Sequence, residues 1–80
     1  MRPNDIFGHL HKRPFQPIRV SAADGSYYDV RHPELMLVSK TEVVIGLKAR
    51  NGGIPKRNAY IDPIHVTRIE PINGKRTKQK

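Results

Sequence analysis

Apolar and polar residues alternate along Ile18-Arg19-Val20-Ser21-Ala22. That period-two pattern belongs to a strand with one buried face. A return strand follows at 26–32, Ser-Tyr-Tyr-Asp-Val-Arg-His, and Asp24-Gly25 lies between the two. A two-residue turn at Asp24-Gly25 would set Val20 against Asp29 and Ile18 against Arg31, placing charge on the core face. A three-residue loop, Ala23-Asp24-Gly25, instead pairs Ile18 with Val30, Val20 with Tyr28 and Arg19 with Asp29. It also puts Gly25 at the third loop position, where φ is positive and glycine is favoured. The second register is therefore the expected one, with Tyr27, Asp29 and Arg31 facing outward beside Arg19.

Further runs complete the pattern. Ile6, Phe7 and Leu10 fall at helical spacing. Asn4 or Asp5 can cap a short helix near residues 5–12, which Pro14 ends. The run 35–39 (Leu-Met-Leu-Val-Ser) and the run 42–47 (Glu-Val-Val-Ile-Gly-Leu) are apolar on both faces. Strands of that kind need two covers: the main core, and either the N-terminal helix or a second subunit. Ala59-Tyr60-Ile61 reads as a short strand. Asp62-Pro63-Ile64-His65 reads as one helical turn with Asp as cap and Pro at its first position. Residues 66–72 form the closing strand. The sum is a mainly β domain over residues 1–72, expected as a small SH3-like or Sm-like five-stranded barrel with a short N-terminal helix. Closure would protect the edges of such short strands. An open sheet with the helix on one face is the alternative.

Charge changes the picture most. The 80 residues carry a formal net charge of +8, and the excess is localised. Lys48, Arg50, Lys56 and Arg57 lie in a glycine-containing loop (48–58) without an acid. Lys75, Arg76, Lys78 and Lys80 lie in the tail 73–80, also without an acid and expected to be disordered. Basic loops and tails suit a polyanion and contact phosphates without reading sequence; the plain alternative is that they keep a small protein soluble. Tyr27, outward between Arg19 and Arg31, is the candidate platform for base stacking.

Other chemistry is sparse. There is no cysteine, which excludes disulfides and thiolate zinc sites and fits a reducing, cytoplasmic setting. No apolar run reaches the roughly 20 residues a membrane helix needs, and the first residues lack a signal-peptide core. His9 and His11 diverge by roughly 200° on a helix and cannot share a metal; His32 and His65 stand alone. Ser21, Ser26, Ser39, Thr41 and Thr67 have no nucleophile-elbow context. No catalytic residue, metal or cofactor is expected.

The segment 13–38, with Val43–Leu47 and His65–Ile72, resembles a group of short bacterial proteins with no assigned function. The shared marks are Pro14-Phe15-x-Pro17 before the first strand, the Asp24-Gly25 hairpin, His32-Pro33-Glu34 and a terminal Ile69-Glu70-Pro71. More distantly, the helix, the Asp-Gly hairpin, the apolar middle strands and the closing His65-x-x-x-Ile69-x-Pro71 resemble bacterial Sm-like RNA chaperones, which form rings. That resemblance implies RNA contact near His65, where Ile64 stands in place of the family's lysine; the glycine usual in the second Sm strand is missing. The expected function is non-enzymatic binding of nucleic acid, RNA over DNA, with no membrane partner. The alternative is a protein-interaction or homo-oligomeric assembly module, with a protein partner or a second copy on the two-sided strands 35–47.

Overall fold

The computed structural model of the chain describes residues 1–47 and 54–72. Its elements in chain order are helix α1 (Pro3–Leu10) and strands β1 (Ile18–Ala22), β2 (Tyr27–Val30), β3 (Met36–Val38), β4 (Val43–Leu47), β5 (Arg57–Ile61) and β6 (Val66–Pro71). A 3-10 turn, Pro33–Leu35, separates β2 from β3, and a second, Pro63–His65, leads into β6.

The helix starts two residues earlier than its apolar spacing suggests. Pro3 occupies its first turn, where a missing N–H costs nothing, and the residue before it, Arg2, takes the cap position in place of Asn4 or Asp5. Arg2 caps through its backbone: its carbonyl accepts from the amides of Asp5 (3.0 Å) and Ile6 (3.2 Å). The helix ends at Leu10, short of residue 12. Ile6 and Leu10, one turn apart, are buried, whereas Phe7 is 48% exposed. Phe7 turns outward and stacks on His11, ring centroids 4.0 Å apart.

The hairpin has the register that keeps charge off the core: Ile18 opposite Val30, Arg19 opposite Asp29, Val20 opposite Tyr28. Gly25 has φ +92°. The loop is locked by Asp24, whose Oδ1 accepts from the Ser26 amide (2.9 Å) and hydroxyl (2.6 Å). Asp62 caps the second 3-10 turn by accepting from the Ile64 amide at 3.1 Å, as the Asp-Pro pair predicts.

The six strands form two three-stranded antiparallel sheets, β2-β1-β6 and β3-β4-β5. The expected closed five-stranded barrel is not what forms. Pro33 cannot donate to a ladder, and beyond the turn it opens the chain enters a second sheet, so six strands form two sheets in place of five strands closed on themselves. β5 begins at Arg57 rather than at residue 59, because Arg57 and Asn58 pair with Leu47 and Gly46. β6 pairs with β1 through a bulge at Ser21/Ala22.

One core joins the inner faces. Ile18, Val20 and Val30 come from the first sheet, Met36, Val43, Ile45 and Ile61 from the second, and Ile6 and Leu10 from the helix. The helix is thus part of the main core rather than a cover for the outer face of β3 and β4. On that outer face Leu37, Val44 and Tyr60 lie side by side across three strands. Leu37 is 66% and Tyr60 63% exposed.

Candidate nucleic-acid interface and neighbouring pockets

The outer face of β2-β1-β6 is built by strand parity. Ile18 and Val20 point into the core, so Arg19 and Ser21 point out. Their partners Asp29 and Tyr27 on β2, and Glu70 and Arg68 on β6, share that face. Two rows result: Asp29-Arg19-Glu70, and Tyr27-Ser21-Arg68.

Arg19 is the centre of this surface. Its Nε donates to Asp29 Oδ1 at 2.7 Å and a terminal nitrogen donates to Oδ2 at 3.1 Å. This two-pronged geometry is the strong form of such a pair. The hydrogen bond with Asp29, together with the Coulomb attraction of that carboxylate, raises the guanidinium pKa further above its ordinary value. The guanidinium carbon sits 4.2 Å from the centroid of the Tyr27 ring, within range for a cation–π contact. Arg31 approaches the same Asp29 at 3.9 Å, and Arg68 lies 3.4 Å from Glu70. Three arginines therefore share the face with two carboxylates, and Tyr27 remains 57% exposed.

Of the residues that sequence reasoning selected, Arg19, Tyr27 and Arg31 are brought together. Lys56 and Arg57 are exposed at the start of β5, in the other sheet. Lys48, Arg50, Lys75, Arg76, Lys78 and Lys80 lie outside the described residues. Arg68 was missed. It joins the face only through the β1–β6 pairing, which links positions far apart in the chain and leaves no local signal.

Two of the pockets beside these sheets bear on the candidate site. One, about 460 Å³, lies between the hairpin loop and the second 3-10 turn, with Asp24, Tyr28, Tyr60, Asp62 and His65 in its lining. The hydrogen bonds from Ser26, hydroxyl first and amide second, hold the Asp24 carboxyl below the usual carboxylate range. The Ser26 hydroxyl is thus committed to a turn carboxylate rather than to a histidine. A second is a groove of about 540 Å³ between α1 and β3. Among the described residues no three His, Cys, Asp or Glu side chains are grouped to hold a metal, and no helix is long and apolar enough to cross a membrane.

No family model, curated protein or solved structure matches the chain.

Proposed function

We propose that the protein is a non-enzymatic nucleic-acid-binding module that uses the outer face of β2-β1-β6. The observation that carries this reading is the exposed Tyr27 ring with the Arg19 guanidinium 4.2 Å above it, on a face that also presents Arg68 and, beside Asp29, Arg31. An aromatic–guanidinium pair offers flat surfaces on which a base stacks whatever its identity. The surrounding arginines and the +8 charge of the chain attract the phosphates. The basic loop and tail, with Lys56 and Arg57, add contacts that strengthen binding to every sequence alike. The resemblance to Sm-like proteins favours RNA over DNA, the likeness to short bacterial proteins supports a bacterial source, and the lack of cysteine supports a cytoplasmic setting.

Fluorescence anisotropy with a labelled oligo-uridine strand tests this reading. If loop, tail and sheet face together neutralise about 4–6 phosphates, log K falls with log salt at a slope near −3 to −4. Removing residues 75–80 makes the slope shallower. Tyr27→Ala loses about 1–3 kcal/mol with the slope unchanged, the amount expected for one stacked base. Absence of binding at low salt rejects the nucleic-acid reading; binding that Tyr27→Ala leaves intact rejects the sheet face as the site.

A further inference from the structure

The groove between α1 and β3 has a composition unlike either sheet face. Its floor and walls are apolar, with Leu10, Met36, Leu37 and Val38 among the lining residues and the outward Phe7 beside them; Lys12 and Arg13 stand in the same lining, and no Asp or Glu does. Leu37 is 66% exposed and Phe7 48%, an unusual amount of large apolar side chain to leave in water at one place. Leu37 also continues the groove onto the outer strip of Val44 and Tyr60.

We propose that this groove docks a short peptide segment of a partner protein that carries bulky apolar side chains flanked by Asp and Glu. Charge decides the sign of the partner. The fixed cations at the groove and the absence of acid in its lining call for carboxylates, and this excludes the chain's own basic tail. A second copy, itself at +8, is disfavoured for the same reason. Shape and chemistry decide the class. A cavity of this size suits a few anchoring side chains. The lining is mostly apolar, Phe7 and Phe15 included, with Lys12 and Arg13 as its cations; such a surface buries apolar side chains rather than a charged phosphate backbone, and a concave groove cannot be filled by a flat bilayer. β3 is an edge strand, paired only with β4 among the described strands. A peptide laid along the groove lies beside that edge, the position from which a segment adds to a sheet.

The test is an NMR titration of the full-length, isotope-labelled protein with the synthetic peptide acetyl-Asp-Glu-Leu-Phe-Glu-Glu-Leu-Asp-amide. Comparators are the same peptide with Lys at every acid, the same peptide with Ser at every apolar position, and oligo-uridine. The expected result is saturable shifts at Leu10, Met36 and Leu37 with the acidic–apolar peptide alone. Leu37→Glu, at an exposed position, weakens it by about tenfold or more through lost apolar burial. Lys12→Glu with Arg13→Glu weakens it severalfold, and Tyr27→Ala leaves it unchanged, which separates this site from the nucleic-acid face. No shift in the groove at millimolar peptide overturns the proposal. So does equal binding of the lysine or serine peptide, or oligo-uridine shifting the groove residues as strongly.

Discussion

Asp29→Asn tests the sheet face by a gain rather than a loss. Asp29 holds Arg19 through two hydrogen bonds, at 2.7 and 3.1 Å, and approaches Arg31 at 3.9 Å. It is also one of two carboxylates that oppose three arginines there. A phosphate bound beside Arg19 would lie about 6 Å from Asp29, where two unit charges in water repel by about 0.7 kcal/mol. Removing the carboxylate should therefore tighten single-strand binding about threefold at low salt. If the released Arg19 or Arg31 takes up a phosphate, the log–log salt slope steepens by about 0.7 for each. Stability should move the other way. The pair is partly exposed, with side-chain exposures of 38% and 27%, so its loss costs about 0.2–1 kcal/mol. For a domain of this size that lowers Tm by a few degrees, at about 4–8 °C per kcal/mol. Glu42→Gln is the control: it makes the same change in net charge at an exposed position before β4, on the other sheet. Anisotropy titrations of the three proteins at two salt concentrations decide the matter. Equal tightening in both variants means that only net charge matters, and weaker binding in Asp29→Asn means that the face does not meet phosphate.

Glycine substitutions should separate backbone effects from packing. Gly25→Ala destabilises by about 1 kcal/mol or more because φ is +92°, although no atom lies within 4 Å of the added Cβ; coincident thermal melts would refute the loop assignment. Gly8→Ala, in open space within α1, stabilises by about 0.5–1 kcal/mol, and a lowered Tm would place that residue outside a helix. Gly46→Ala brings a Cβ to 2.6 Å from Pro55 Cγ and 3.0 Å from Pro55 Cβ, so a loss of about 1–3 kcal/mol is expected in denaturant unfolding. Asp24 sets an acid limb: its carboxyl titrates below the ordinary 3.8 in the folded state. Its contribution is therefore complete well above that value and disappears as pH falls through the lower folded value. Stability measured against pH should have a shallower acid limb in Asp24→Asn, and an unchanged limb would deny the Ser26 hydrogen bonds any role.

The hairpin was legible because every constraint on it is local. Two registers compete, one of them puts Asp29 and Arg31 into the core, and a glycine stands where the other needs positive φ. The second 3-10 turn was legible for the same reason, through Asp62 and Pro63. The first was not. His32-Pro33 marks the end of a strand, but nothing nearby says that the chain then enters a different sheet. Closure was expected because it protects the edges of short strands, and the chain forms two three-stranded sheets instead. The helix start was hidden by a cap that acts through the Arg2 carbonyl, which any residue could supply, and Asn4 and Asp5 drew attention away from it. Arg68 reached the candidate face only through a pairing across the bulge at Ser21/Ala22.

The apolar excess of residues 35–47 could be read from sequence, but its destination could not. Both faces of β3 and β4 carry large aliphatic side chains, and the helix was the nearest cover. Helix geometry assigns it elsewhere. Ile6 and Leu10 sit one turn apart and are absorbed by the main core, which rotates Phe7 about 100° away, onto His11. With the helix so occupied, Leu37 and Tyr60 keep most of their surface in water, and Phe7 joins Leu37 in lining the groove beside β3. An exposed aromatic and an exposed leucine from different elements then meet next to Lys12 and Arg13. The same turn of the helix that completes the core thus creates the groove, so a substitution that made Phe7 the buried face would close the site and unpack the core together.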